Sequence, residues 1–511
     1  MSPYETQYRI GVYRNHNFEL VEHVISPYLA FAGMDAEFIY SDYDDALTFF
    51  NLDTSVNALI IWLDISRYKN IAISFFSERM KVLQSIYKKP IIFVGVCGQG
   101  NILVEQNILN VDTSQIYEEL GDRFLDVSKE RFTGTKLSSQ ACIKIAQILG
   151  TKYLPAALQP ILKAIIVDLD NTLYKGVLGE DGIAGITLSK GHIKLQNHLK
   201  TLSQQGFFLC IASKNEIIDV ENLFETRMDF PLSKKDFTKI CASWSDKSDS
   251  ISQTAAFLNI HPSSMLFIDD NPGELFTASL AHPDMKLLRA YPAAEKTLDV
   301  LEIYPGLLKN KLQSEDFLRS EDVKANQSRN KLRDQMSQEE YLKALDIVVN
   351  IHINPQHLAQ RVSELSNKTN QFIFNYMRYQ HTDILQRMQS SHSTVVTASL
   401  KDKLSDSGMI SSCIVVLKND HLEIEDLFVS CRALGRGLDE MIVLGSIQVA
   451  CDTLQCNKIR VKFIKGERNT PAENFVANYL KPYIVSSEDF TYQISPTFAK
   501  IIINKQEKIN E

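Results

Sequence analysis

The run KAIIVDLDNTLYKGVLGEDG begins at Lys163 and drives four apolar residues straight into Asp168, with a second carboxylate two positions on at Asp170. Asp-x-Asp alone is as readily a strand-end turn whose acids cap a helix. Three further stretches add chemistry of one kind. FFLCIASKN is an apolar strand ending on the hydroxyl of Ser213, beside Lys214 and Asn215. SWSDKSDSI sets Lys247 just ahead of a helix, and MLFIDDNPGE ends on Asp269 and Asp270, followed by Asn271. In an open parallel sheet the carboxyl ends of the strands converge on one crevice, so these endings can meet. Two groups of acids suit a hard cation such as Mg²⁺, and a hydroxyl with a fixed ammonium suits phosphoryl oxygens.

A second set lies downstream. CRALGRG carries Arg432-x-x-Gly435-x-Gly437 between an apolar strand and a long helix, where free backbone N–H groups bind an anion. Six such residues are equally an ordinary tight turn. Beside them, Cys431 is either a buried small hydrophobe or a nucleophile whose thiol is acidified by Arg432 and the helix N-terminus. Upstream, in LSNKTNQFIFNYMRY, Lys368, Thr369, Asn370 and Gln371 are either a polar ligand site or a solvated helix end with a buried aromatic face.

The elements that must position these groups form an α/β pattern. With 511 residues the chain is expected to hold about three domains. Strands at YRIGVY, DAEFIY, ALIIWLD and KPIIFVGV alternate with helical stretches, which predicts a parallel doubly wound sheet over 1–157. A second alternating unit, 158–310, contains AIIVDLD, FFLCIAS, TKICAS and MLFIDD. The charged, Gly- and Pro-free segment within 311–340 is expected to be a helical connector. Strands in series with flanking helices then predict an α+β domain over 341–511. About forty residues separate Asp170 from Ser213 and about thirty separate Ser213 from Lys247, leaving no room for a large inserted cap. The site is therefore expected to be open.

A net charge of −8 argues against a general nucleic-acid binder. The chain lacks an apolar run long enough to span a membrane and an N-terminal secretory core, and its eight cysteines form no CxxC pairs. A cytoplasmic protein with reduced thiols is expected.

The order DLDNT, Ser213, Lys247 and DD resembles the haloacid dehalogenase (HAD) superfamily. The resemblance implies that Asp168 is a nucleophile forming an aspartyl-phosphate and that Asp170 is the general acid and base. Ser213 and Lys247 would hold phosphoryl oxygens. Mg²⁺ would be held by Asp168, Asp170 through its backbone carbonyl, and Asp269 or Asp270. Thr172, Lys214, Asn215 and Asn271 would complete the phosphate and substrate contacts. The third domain resembles the acetyltransferase (GNAT) fold, in which Arg432, Gly435, Arg436 and Gly437 would grip the phosphopantetheine of a carrier protein or coenzyme A. Together with W-x-x-K, KTNQF and SCR-x-LGRG, these motifs resemble FkbH-like proteins from about Ile161 to Gly437, with Tyr174 standing where Trp is expected. An SGNH-hydrolase-like N-terminal domain often precedes them; 1–157 lacks a Gly-Asp-Ser block and is expected to be catalytically silent. The family resemblance implies loading of a glyceryl unit from 1,3-bisphosphoglycerate, through a thioester, onto an acyl carrier protein; Cys431 is the candidate thiol, with Cys210 the next to test. The alternatives are a capless phosphatase acting on a phosphorylated metabolite or sugar, and a CoA-dependent N-acyltransferase.

Overall fold

The computed structural model describes residues 7–68, 73–96, 108–309, 335–430, 433–434, 436–466, 469–494 and 499–504, with 322, 323, 325, 328, 329 and 332 between them. It divides into two compact units, 1–252 with 261–312, and 253–260 with 313–511.

The first unit contains two five-stranded parallel sheets. In one, β1 (Gln7–Arg14), β2 (Asp35–Tyr40), β3 (Ala58–Asp64), β4 (Ile91–Val96) and β5 (Ile108–Asn110) run in the order β2-β1-β3-β4-β5. The whole of β3 is buried, as expected of a parallel strand covered on both faces. In the other, β6 (Ala164–Val167), β7 (Phe208–Ser213), β8 (Lys239–Ala242), β9 (Met265–Asp269) and β10 (Lys286–Arg289) run β10-β9-β6-β7-β8. Every residue of β6, β7 and β9 is buried, so their apolar runs have no alternating pattern. The parallel α/β class expected for both regions is observed. Between Asp170 and Ser213 lie only a short helix, Leu178–Gly185, the bridge Lys175–Thr187 and the helix Lys190–Gln204, with no inserted cap domain.

The second unit is built on a seven-stranded mixed sheet. Its strands are β11 (Ile347–Ile353), β12 (Ser393–Lys401), β13 (Asp406–Leu417), β14 (Leu422–Val429), β15 (Lys458–Val461), β16 (Glu488–Asp489) and β17 (Ala499–Asn504). They are ordered β16-β15-β14-β13-β12-β11-β17, with β14–β15 and β11–β17 parallel and the other pairs antiparallel. The buried helix Asp439–Leu454 packs on β12 and β13. Among the described residues no helix is long and apolar enough to cross a membrane.

Two charged residues of the expected helical connector have partners that its composition did not indicate. Asp322 and Arg329 are buried within the second unit, where Arg329 Nε donates to Asp402 at 2.8 Å and its Nη1 lies 3.0 Å from Asp322 Oδ1. Opposite charges neutralise one another there, which is how two charged side chains can be buried.

Candidate active site

β6 stands at the centre of its sheet, with β9 on one side and β7 on the other. Val167 pairs with Ile268 and with Ile211, so Asp168, Asp269 and Ser213 emerge along the same carboxyl edge. Asp168 N donates to Ile268 O at 2.9 Å, fixing the first acid against β9. The chain then reverses. Asn171 adopts φ +52°, a left-handed conformation that Asn tolerates. It also closes the loop through two bonds: its N–H donates to Gly176 O, and its Oδ1 accepts from Gly176 N at 3.0 Å. Gly176 sits at φ +118°, a backbone conformation that side-chain-bearing residues rarely adopt, so the turn requires the glycine.

Lys247 begins the helix Lys247–Leu258 after β8, and its ammonium reaches back between two acids. Nζ is 2.9 Å from Asp168 Oδ1 and 2.7 Å from Asp269 Oδ2, with all three side chains buried. Burial pushes the carboxyls of Asp168 and Asp269 above the ordinary range, and the shared ammonium pulls against that rise. Burial also raises Asp270, again against Lys247. Asp168, Asp269 and Asp270 each present a carboxylate oxygen within 4.8 Å of the others. Asp168 Oδ1 faces the ammonium as an ion pair but has no aligned hydrogen-bond donor. Three clustered carboxylates with one such buried oxygen fit a hard divalent cation.

The Asp170 carboxylate is not part of that cluster. It is fastened by three donors: Tyr174 Oη at 2.7 Å and Leu178 N at 2.9 Å on Oδ1, and Asn215 Nδ2 at 2.9 Å on Oδ2. Asn215 also donates to Ser213 Oγ at 2.9 Å, so it positions two site residues. The Tyr174 hydroxyl explains why an aromatic donor serves at the position where the family resemblance expected Trp. Thr172 is buried beside this loop with its Oγ1 unpartnered.

Two residues expected to touch substrate have other partners. Lys214 Nζ pairs with Glu274 at 2.6 Å, and Asn271 Oδ1 accepts from Gly273 N, capping the helix Pro272–Ala281. The Glu274, Tyr174 and Leu178 contacts went unread in the sequence. Tyr174 lies four residues from Asp170, and this spacing was the available signal.

In the second unit, Cys431, Arg432 and Gly435 lie outside the described residues. Gly437 takes φ +76° just before the helix Asp439–Leu454. Arg436, expected to grip phosphopantetheine, is instead buried: its Nη2 donates to both oxygens of Asp322, at 2.8 and 2.7 Å, and its Nη1 to Asp402 at 3.4 Å. Its charge is consumed within the protein. Thr369 is also buried, and Asn370 Oδ1 accepts from Arg378 at 2.7 Å.

β14 and β15 pair only over Leu422–Ile424 and Ile459–Val461. Beyond that, the segment Phe372–Phe374 lies along β14. Phe374 N donates to Leu427 O at 3.0 Å, Val429 N donates to Phe372 O at 2.9 Å, and Ile373 bridges Phe428. On its other side, Ile464 N donates to Phe374 O at 2.7 Å. The edge of β14 beyond its pairing with β15 is thus filled by the chain itself. Cys210, the other candidate thiol, is fully buried on β7, where burial pushes it up to about 12.

No protein-family model and no curated protein matches the chain. Among solved structures, it is similar to the N-terminal part of protein BF1531 from Bacteroides fragilis, containing a phosphatase domain complexed with Mg, at 18% identity and TM-score 0.45, over 59% of this chain and 95% of that one. A HAD-like family hydrolase from Porphyromonas gingivalis is similar at 16% identity and TM-score 0.21, over 25% of this chain and 91% of that one. A HAD family enzyme from Bacteroides thetaiotaomicron, in complex with magnesium and inorganic phosphate, is similar at 14% identity and TM-score 0.20, over 26% and 95%. At values this low the likenesses carry no functional conclusion of their own.

Proposed function

We propose that the chain is a Mg²⁺-dependent phosphoryl-transfer enzyme of the HAD type, with Asp168 as nucleophile. The observation that carries this reading is the buried ammonium of Lys247 held between Asp168 and Asp269, with Asp270 completing a carboxylate cluster. Asp168, Asp269 and Asp270 would hold the cation, which when bound supplies positive charge against the repulsion between an anionic nucleophile and an anionic substrate. An Asp168 oxygen bonds to phosphorus, the bond from phosphorus to the leaving oxygen breaks, and Asp170 passes a proton to that oxygen. Water then attacks phosphorus, releasing phosphate and restoring Asp168, while Asp170 takes the proton back. Ser213 Oγ and Lys247 Nζ hold the phosphoryl oxygens.

The finer reading is loading of a glyceryl unit from 1,3-bisphosphoglycerate onto an acyl carrier protein. That donor has a phosphate ester, which the Asp168 chemistry removes, and an acyl phosphate. A thiol displaces the second: sulfur bonds to the acyl carbon, the carbon–oxygen bond to phosphate breaks, and the thiol proton is lost. The absence of an inserted cap between Asp170 and Ser213, which leaves room for a carrier's arm, and the motif resemblance support this reading. A cytoplasmic setting belongs to it, supported by the free thiols of the described cysteines.

A second reading has a specific observation in its favour. With Arg436 locked to Asp322 and Phe372–Phe374 seated on β14, the second unit offers no ready pantetheine cradle among its described residues. This favours a capless phosphatase acting on a phosphorylated metabolite, with the second unit in another role.

The test is phosphate release by the full chain with Mg²⁺, from 1,3-bisphosphoglycerate with a carrier protein and from simple phosphomonoesters without one. Asp168→Asn should lower release by about 1,000-fold or more. Covalent mass gained by the carrier supports the loading reading, and turnover of phosphomonoesters alone supports the phosphatase. Release that survives Asp168→Asn overturns both.

A further inference from the structure

Trp244 follows β8, three residues before Lys247, and its side chain is 66% exposed. Single exposed apolar residues are common on protein surfaces and need no explanation. Trp244 differs because its one polar atom has a partner beside the site while most of the residue stays exposed. Indole Nε1 donates to Glu216 Oε1 at 2.6 Å. Glu216 directly follows Asn215, which holds Asp170 and Ser213. On the other side, Ser243 N donates to Ser213 O at 3.1 Å, and Lys247 lies between Asp168 and Asp269. The chain on both sides of Trp244, and the residue that its indole nitrogen contacts, are therefore tied to the phosphoryl site. A tryptophan serving only to pack would bury its ring and leave its nitrogen to find a partner. Here the one polar atom is satisfied and most of the residue is exposed.

β8 stands two strands from β6, which by strand spacing places it about 10 Å from the strand of Asp168. A two-carbon acyl phosphate seated at Asp168 falls short of that distance, whereas an aromatic ring or a longer chain approaches it.

The geometry points to Trp244 as a specificity-determining residue, an aromatic platform for the extended organic part of the molecule whose reactive end lies at Asp168. The inference rests on the phosphoryl-transfer reading of that site and names the kind of substrate it selects: a phosphorylated compound with a ring or extended chain. Glu216 is the positioning residue that holds the platform.

Phenyl phosphate and acetyl phosphate are the probes, used with the full chain and Mg²⁺. Trp244→Ala should lower the ratio of kcat/KM for phenyl phosphate over acetyl phosphate roughly fivefold, through KM, and Trp244→Phe should retain most of the ratio. The chain has two tryptophans, and Trp62 is fully buried, so exposed indole emission reports Trp244. Phenyl phosphate should quench that emission in Asp168→Asn, which binds without turnover. An unchanged ratio in Trp244→Ala, or emission that phenyl phosphate leaves unmoved, overturns the platform while leaving the phosphoryl-transfer reading intact. If wild-type protein turns over neither probe, or Asp168→Asn turns over both as fast, the underlying reading itself fails.

Discussion

Tyr174 is fully buried, and its hydroxyl is one of three donors that hold the Asp170 carboxylate in one orientation. Phenylalanine fills the same space without the hydroxyl, so Tyr174→Phe tests orientation rather than packing. A hydrogen bond to a charged group contributes about 1.5–3 kcal/mol to stability, so the melting temperature should fall by a few degrees, while a misoriented Asp170 should lower kcat roughly tenfold with KM moving little. Steady-state kinetics alongside a thermal melt separates these outcomes. At this scale the candidate residues Asp168, Ser213, Asp269 and Asp270 were legible because each stands at the carboxyl end of an apolar, buried strand. Their supports were not legible. Trp244 and Glu216 are 28 residues apart and Lys214 and Glu274 are 60 apart, distances closed by the order of strands in the sheet rather than by local pattern. The same limit applies to Arg436, whose glycine neighbours suggested an anion cradle and whose actual anion is Asp322.

The connector shows what an element's composition can conceal. Asp322 accepts from Arg436, Ser405 and Ser407, and Asp402 accepts from Arg329 and Arg436, forming a saturated ionic cluster in the second unit. Replacing one member leaves its partners charged, buried and unpaired. Arg436→Ala should therefore cost about 3–5 kcal/mol, read as a lower urea midpoint for the second unit. Lysine should restore only part of this, because the guanidinium reaches Asp322 and Asp402 through two different nitrogens and an ammonium has one. Charge counting read this segment as helical and stopped there, since a periodic charged pattern does not say whether its partners are water or other side chains. The longer strands were legible from their apolar runs. β10 was not, with only one fully buried residue in four, and neither was β17, which joins its sheet only through a pairing with distant β11.

At the scale of the whole molecule, two buried groups, one in each unit, should respond to acid in opposite directions. His16 in the first unit is stacked on Trp62 at 4.8 Å and buried, and burial holds its imidazole down to about 3 against the pull of Asp64, with Arg67, Lys136 and Arg14 also opposing its charge. It is neutral when folded and protonated when unfolded below about pH 6.5, so its contribution to stability is lost as pH falls from there towards 3. Asp426 in the second unit is pushed up to about 7 by burial, although it accepts from the backbone N–H groups of Phe374, Asn375, Met377 and Leu427. It gains a proton on folding between about pH 4 and 7, so its contribution is greatest at the acid end of that window and is lost as pH rises through 7. Chemical denaturation at about pH 5 and pH 8 should show wild type gaining on Asp426→Asn at the lower pH and losing ground to His16→Gln there. Parallel slopes for wild type and variants would refute the assignment.

The pairing of β17 with β11 also sets a schedule for synthesis. β11 emerges from the ribosome roughly 150 residues before the strand that completes its outer edge, an interval of about 10–30 s at ordinary elongation rates. Through that time IVVNIHI has at most one of its two edges paired, with alternate apolar side chains still lacking full cover. The second unit is therefore most exposed to association with other nascent chains during this interval, and slower elongation past residue 353 would lengthen it.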